Sequence, residues 1–214
     1  MILITRPQPE AGELAQILED MGFNCLVEPM IEIKFLKPDL EQYFNKSVQA
    51  FLTTSKNARK FIPRFYAHAS IPEQGRNAHD LSRWIIKHLK PEDGKIIYLR
   101  GDIISFDISA ELRQHDFNIA EVVVYESHPV THFSENFMKN IGKISLATFF
   151  SARTISNFLT LVDISKLGKK LKNIDILCMS QEIADRLKFH QCRAVHISEE
   201  PTLNAMINKI DEIY

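Results

Sequence analysis

The chain has 214 residues, 45% of them hydrophobic and 25% charged, with a net charge of −1. This is ordinary globular composition, enough for one large α/β domain or two small ones. A net charge so near zero creates no global field for DNA or an anionic membrane, so an anionic ligand must be held by a local site.

Residues 2–5 read as a buried strand, stopped by Arg6 and Pro7. Pro9, Glu10 and Ala11 open a helix with Leu14, Ile17, Leu18 and Met21 at helical spacing, and Gly22 is placed to end it. Residues 25–29 form the next strand, a βαβ unit with an expected right-handed crossover. Residues 30–35 alternate Ile31, Ile33 and Phe35 with Glu32 and Lys34, the period of a half-buried strand, and Pro38 follows in a linker. Residues 49–53 are a strand leading into Ser55. Residues 63–77 show no periodicity and read as loop. Leu81, Trp84, Ile85, Ile86 and Leu89 mark a helix capped by Asp80 or Asn77. Residues 95–100 are a strand ending at Gly101-Asp102, and a helix follows through Ile108, Leu112 and His115. Residues 121–125 are a strand, and Pro129 opens a second linker. In the last third, residues 143–150, 175–179 and 194–197 read as strands. Helices are expected over 152–161, over 183–189, and onward from Pro201-Thr202. Three helix ends before a strand, around Gly22, Asp116 and His190, form a weak internal repeat. Strand and helix alternate throughout, which argues for parallel sheets flanked by helices.

Common chemical signatures are missing from the sequence. No Gly-x-Gly-x-x-Gly or Walker motif occurs, and with 7 glycines a Gly-rich phosphate loop is hard to build. No Cys/His spacing supports zinc. His128 and His132 sit four apart, beside the expected linker. Cys25, Cys178 and Cys192 lie far apart without a Cys-x-x-Cys, which favours a reducing compartment. No signal-peptide core or membrane-length apolar run occurs, so the expectation is a soluble, cytoplasmic protein.

What remains is a pair of matched turns. Leu52-Thr53-Thr54-Ser55 and Thr148-Phe149-Phe150-Ser151 each run from β-favouring residues into a Ser and then a helical pattern. Most Ser residues at that position only cap the helix, accepting a bond from a first-turn amide. Recurrence at two strand ends also suits an anion site, because α/β sheets bind ligands there. Arg6 and Arg100 end strands at the same edge and suit carboxylates. Tyr125 ends a strand before a linker, where packing and chemistry are equally natural roles.

The order of these motifs resembles one family. Ile4-Thr5-Arg6-Pro7, then Pro29-Met30-Ile31-Glu32-Ile33, Thr54-Ser55-Lys56-Asn57-Ala58, Tyr98-Leu99-Arg100-Gly101, Val122-Val123-Val124-Tyr125, Phe149-Phe150-Ser151-Ala152 and Glu200-Pro201-Thr202-Leu203 are similar, end to end, to uroporphyrinogen-III synthase. The resemblance implies two α/β lobes of parallel sheet flanked by helices, joined by a two-stranded linker. The outer lobe would combine residues 1–34 and 129–214, the middle lobe would be 38–126, and the linkers would lie near 34–38 and 126–131. It implies a cofactor-free, metal-free closure of hydroxymethylbilane to uroporphyrinogen III, with loss of water and inversion of the last pyrrole ring. The substrate is a linear tetrapyrrole with many carboxylates, which the matched turns would hold around a shared cleft. No nucleic acid or membrane partner is expected, and the protein would be a monomer.

By the same resemblance Tyr125 is the candidate proton donor. Arg6, Thr54, Ser55, Asn57, Arg100, Gly101, Ser151, Ala152 and Ser180 are the candidate substrate-binding residues. Two departures stand out. The family's Gly-Pro-Thr-Thr-like turn reads Ser180-Gln181-Glu182-Ile183 here; Ser180 can still cap, but Ile183 brings no hydroxyl and Glu182 would repel a carboxylate. The middle lobe is also short by a strand and a helix between Phe61 and Asn77. The alternatives are a non-catalytic tetrapyrrole or polycarboxylate binder, and a sugar-phosphate or nucleotide enzyme.

Overall fold

The computed structural model describes residues 1–43, 47–62, 78–104 and 106–214. The loop expected over 63–77 and the Asn77 cap lie outside the described residues. In chain order the strands are β1 (Ile2–Ile4), β2 (Cys25–Val27), β3 (Ile31–Phe35), β4 (Val48–Leu52), β5 (Lys95–Gly101), β6 (Ile119–Pro129), β7 (Leu146–Phe149), β8 (Asp175–Cys178) and β9 (Val195–Ile197). The α-helices are α1 (Glu10–Asp20), α2 (Lys56–Arg59), α3 (Ala78–His88), α4 (Ile108–Gln114), α5 (Glu135–Asn140), α6 (Ala152–Ile164), α7 (Gly168–Leu171), α8 (Gln181–Ala184) and α9 (Leu203–Ile213). The chain divides into two compact units, Met1–Glu32 with His128–Tyr214, and Ile33–Ser127. It passes from one unit to the other within β3 and again within β6.

The first unit holds a five-stranded sheet in the order β2-β1-β7-β8-β9, with every pair parallel. The three central strands, β1, β7 and β8, are buried along their whole length, as parallel strands covered by helices must be, while the edge strands β2 and β9 are only partly buried. Leu3 joins Phe149, Phe158 and Ile176 in one core cluster. Ile2 and Ile4 point the other way, onto Leu14, Leu18, Met206 and Ile210 of α1 and α9. Each such aliphatic side chain stabilises the unit by about 1.5–3 kcal/mol. Strands β1 and β7 are locked by buried threonines: Thr5 Oγ1 donates to Thr148 O (2.6 Å) and Thr148 Oγ1 to Leu3 O (3.1 Å). Helix α1 ends at Gly22, whose φ of 92° lets Phe23 N turn back onto Leu18 O (3.0 Å).

The second unit holds a four-stranded sheet in the order β3-β6-β5-β4, with β4, β5 and β6 parallel. One face packs Ile85, Ile96, Tyr98, Ile108 and Leu112 beneath α3 and α4. The other buries Phe51, Ala58, Ile97, Leu99 and Val124.

Several elements differ from their sequence expectation. Strand β7 starts at Leu146 instead of residue 143, because α5 and a 3₁₀ turn over Ile141–Lys143 occupy the approach. Ser134 caps α5 by accepting from Phe137 N (3.1 Å), and buried Glu28 holds Ser134 through its N–H (2.7 Å) and hydroxyl (2.5 Å). The helix expected over 183–189 is instead the single turn α8 and a 3₁₀ turn over Asp185–Leu187. Phe189 is 95% exposed and is not part of an apolar helical face. Strand β6 continues to Pro129, past the point where a linker was expected. Its end is satisfied by Val130 N donating to Met30 O (3.1 Å), while Leu36 N donates to Val124 O (2.9 Å). Among the described residues, no helix is long and apolar enough to cross a membrane.

Candidate functional site

In the second unit the sheet's carboxyl ends carry Thr54-Ser55 after β4, Arg100-Gly101 closing β5, and Tyr125 within β6. An irregularity brings them together. The β5–β6 register runs evenly to Arg100↔Val123, then jumps to Gly101↔Tyr125, so one extra residue of β6 is accommodated. Such a bulge re-aims the side chain beside it. The Tyr125 ring therefore lies directly over Gly101, where a β-carbon would sit 2.6 Å from two ring atoms. The Tyr125 hydroxyl donates to Ser55 Oγ (3.0 Å), and Ser55 Oγ also accepts from Asn57 N (3.2 Å). Thr54 Oγ1 and the Tyr98 hydroxyl are 3.2 Å apart. Burial pushes the Tyr98 phenol up, a shift that the bond to Thr54 opposes. Thr54, Ser55, Arg100, Gly101 and Tyr125 all line one pocket of about 180 Å³.

Arg100 is anchored before any ligand arrives. Its Nε donates to Glu121 Oε2 (2.8 Å), and its Nη1 donates to the carbonyls of Gly101 (2.7 Å) and Asp102 (3.3 Å). The other oxygen of Glu121 accepts from Arg113 Nη2 of α4 (2.9 Å). Burial raises the Glu121 carboxyl, but the bonds from Arg113 and Arg100 outweigh it and hold the group below the usual carboxylate range. Among the described residues nothing bonds Arg100 Nη2.

In the first unit, β1 lies between β2 and β7, so the chain reverses its direction of sheet growth there. The carboxyl ends of two such strands are the usual ligand crevice of an open α/β sheet. Arg6 follows β1, with its guanidinium 4.5 Å from the centre of the Phe150 ring. Burial lowers its pKa, and Glu10 and Glu13 act against that. Ser151 caps α6, accepting from Thr154 N (3.2 Å) and pairing with Thr154 Oγ1 (2.7 Å); Ala152 begins the helix.

Not every residue expected in the site has the expected setting. Helix α2 is a single turn, so the amides after Ser55 form no extended N-terminal dipole, and this end of the site is built from side chains. Ser180 precedes α8, but its hydroxyl accepts no capping bond, so the cap expected there is absent. A single turn held by tertiary packing does not depend on its cap. Tyr98, Glu121 and Phe106 belong to the setting of the pocket although sequence reasoning did not select them. Tyr98 and Arg100 share a face of β5 by period two, which was a usable signal; Glu121 had none. Among the described residues no group of three or more His, Cys, Asp or Glu is placed to hold a metal.

Comparison with known proteins points one way. The HEM4 family model, uroporphyrinogen-III synthase HemD, matches residues 60–208. The chain is 25% identical over 248 aligned residues to the porphyrin biosynthesis protein HemD of Ruminiclostridium josui, covering 99% of this chain and 48% of that protein. It therefore spans about half the length of that curated relative. Its fold is similar to uroporphyrinogen-III synthetase from Helicobacter pylori, with a TM-score of 0.62 and 17% identity over 100% of this chain and 99% of that one. A mutant uroporphyrinogen III synthase from Thermus thermophilus is also similar, with a TM-score of 0.51 and 14% identity over 99% and 97% of the two chains.

Proposed function

The chain belongs to the uroporphyrinogen-III synthase family, whose model covers most of its length, and from that premise we propose that it closes hydroxymethylbilane to uroporphyrinogen III. The observation that carries the reading is the Tyr125 hydroxyl held by Ser55 in a pocket that both residues line, over the bare backbone of Gly101.

The chemistry asks little nucleophilic power of the protein. The hydroxyl of the terminal hydroxymethyl group must leave as water, its C–O bond breaking as the adjacent pyrrole nitrogen supplies the electron pair that makes the retained methylene part of an azafulvene. Tyr125 is the proton donor to the departing oxygen, its hydroxyl turning from Ser55 to do so. The substituted carbon of the last ring then attacks the azafulvene carbon to give a spiro intermediate. The bond from that carbon to the neighbouring bridge breaks and re-forms at the free position, which inverts the ring. The proton released on rearomatisation restores the phenol, so the net change is loss of one water. Orientation supplies the choice of attacking carbon. Arg100 and the Thr54–Ser55–Asn57 turn bind substrate carboxylates in the second unit. Arg6 with the Ser151–Ala152 turn, and Ser180 through its backbone, do so in the first.

The test is product isomer analysis after supplying hydroxymethylbilane. Spontaneous closure yields the type I isomer, so an excess of type III is expected, and type I alone sinks the reading. Tyr125→Phe is expected to lower turnover by less than the ~10²-fold that a full general acid supplies, because the pyrrole provides most of the driving force. Wild-type turnover in that variant removes Tyr125 from the mechanism.

A further inference from the structure

A proton donor at Tyr125 must release one of its own anchors in order to act. Its hydroxyl donates to Ser55 Oγ (3.0 Å), and a phenol that gives its proton to a departing oxygen gives up that bond. The ring must then be located by contacts that do not use the hydroxyl. The close approach to Gly101 is one. The other is Phe35 on β3, which lies beside β6 at the edge of the sheet. The two rings stand edge to face, with centroids 6.5 Å apart and planes at 65°, a geometry that aromatic pairs prefer. Phe35 is 40% exposed, so core filling does not account for its ring. Lys60 Nζ lies over that ring, and the Phe61 ring is 6.2 Å away. A cation over an aromatic face is attracted by the ring's quadrupole. Lys60 closes the one-turn helix α2 that Ser55 opens. The contacts form a closed circuit, from Tyr125 to Ser55, along α2 to Lys60, then to Phe35 and back to Tyr125.

We infer that Phe35, backed by Lys60, is a positioning residue that keeps the Tyr125 phenol in place once its bond to Ser55 is released. The inference rests on the reading of Tyr125 as proton donor and deepens it, because it names what holds the donor during the step. Phe35 acts through Tyr125 and on no reacting atom. Its loss leaves the phenol chemically unchanged but free to rotate about its side-chain bonds. Arg100 and the Ser55 turn hold substrate without Phe35, so the effect falls on kcat and leaves KM nearly unchanged.

The test reads ring position and turnover in the same variants of the full chain. Ring position is followed by NMR, from cross-relaxation between the Tyr125 ring protons and the Gly101 α-protons. That signal should persist in Ser55→Ala, where the hydroxyl has lost its acceptor, and disappear when Phe35→Leu is added. Phe35→Leu alone should lower kcat for type III product about threefold to tenfold, the span of an aromatic pair, with KM nearly unchanged. Phe35→Trp keeps a ring for both Tyr125 and Lys60 and should recover most of that loss. Lys60→Gln should act in the same direction but less; Lys60 is exposed, so this variant keeps the test open if Phe35→Leu fails to fold. In a Tyr125→Phe background, Phe35→Leu should lower kcat no further. A cross-relaxation signal that survives both substitutions, wild-type kcat in the folded variants, or an equal loss in the Tyr125→Phe background overturns the positioning role. Type I product alone from the wild type, with the signal lost as expected, overturns the proposed function and leaves Phe35 holding the ring.

Discussion

A methyl group on Gly101 would meet Cε2 and Cζ of Tyr125 at 2.6 Å, closer than side-chain carbons approach. Gly101→Ala must therefore displace the ring and break the hydroxyl's bond to Ser55. We expect its kcat for type III product to fall about as far as that of Tyr125→Phe, with the circular dichroism spectrum unchanged; full activity would show that the hydroxyl is not needed where it stands. The cysteines give a second residue-scale prediction. Burial, with a smaller contribution from Cys192, pushes the Cys178 thiol up to about 12. Burial raises the Cys192 thiol too, but Cys192 is partly accessible whereas Cys178 is fully buried. Only the thiolate alkylates, so iodoacetamide at pH 8 should modify Cys192 slowly in the native protein and spare Cys178 until urea is added. Equal labelling by mass spectrometry would mean that the β8 core opens readily. The sequence marked Ser55, Arg100 and Tyr125 by their strand-end positions. It did not mark which residues pair, because Arg100–Glu121 and Tyr125–Ser55 are contacts between segments distant in the chain.

Among elements, α6 does more than cover its sheet. Asn157 Nδ2 donates to the carbonyls of Met30 (2.8 Å) and Val130 (3.0 Å), holding the approach to β3 and the exit of β6 with one amide. Asn157→Leu leaves both carbonyls without that donor. At about 0.5–1.5 kcal/mol per lost hydrogen bond, the loss should be about 1–3 kcal/mol, read from urea denaturation midpoints. An unchanged midpoint would show that water replaces the amide at no cost. The long helices α1, α6 and α9 were legible because two or more turns repeat an apolar face. The single-turn α7 and the six-residue α5 were not, and the helix expected over 183–189 was too long and began after the start of α8, since so few residues hold no period and nucleate only against a formed core. The end of β6 was missed because Ser127, His128 and Pro129 look like linker, and only pairing makes them strand.

For the molecule as a whole, stability should depend on pH through Asp175. It opens β8 and accepts both Arg193 Nε and Nη2 at 2.7 Å, with His196 Nε2 at 3.5 Å. The bond from Arg193 lowers its pKa, burial opposes that, and the net direction is down. A depressed carboxyl stabilises the fold fully above its unfolded pKa, about 3.9, and loses that contribution as pH falls through the lower folded value. Asp175→Asn should therefore unfold at lower urea than the wild type at pH 7, with the gap closing as pH drops below about 4. A gap that stays constant across this range would mean that the ion pair adds nothing. At this scale the sequence was informative about class: strand–helix alternation predicted parallel sheets flanked by helices, and the fold has them.

By itself the sequence determined which segments are strands and long helices, and that Ser, Arg and Tyr residues gather at strand ends. Those are local facts, written in periods of 2 and 3.6 and in turn chemistry. Only the tertiary structure decided that β5 and β6 slip by one residue at Gly101, that Glu121 captures Arg100, and that Ser180 caps nothing. Each depends on register and packing between residues distant in the chain. Local burial patterns leave a one-residue slip unspecified where a bulge absorbs it.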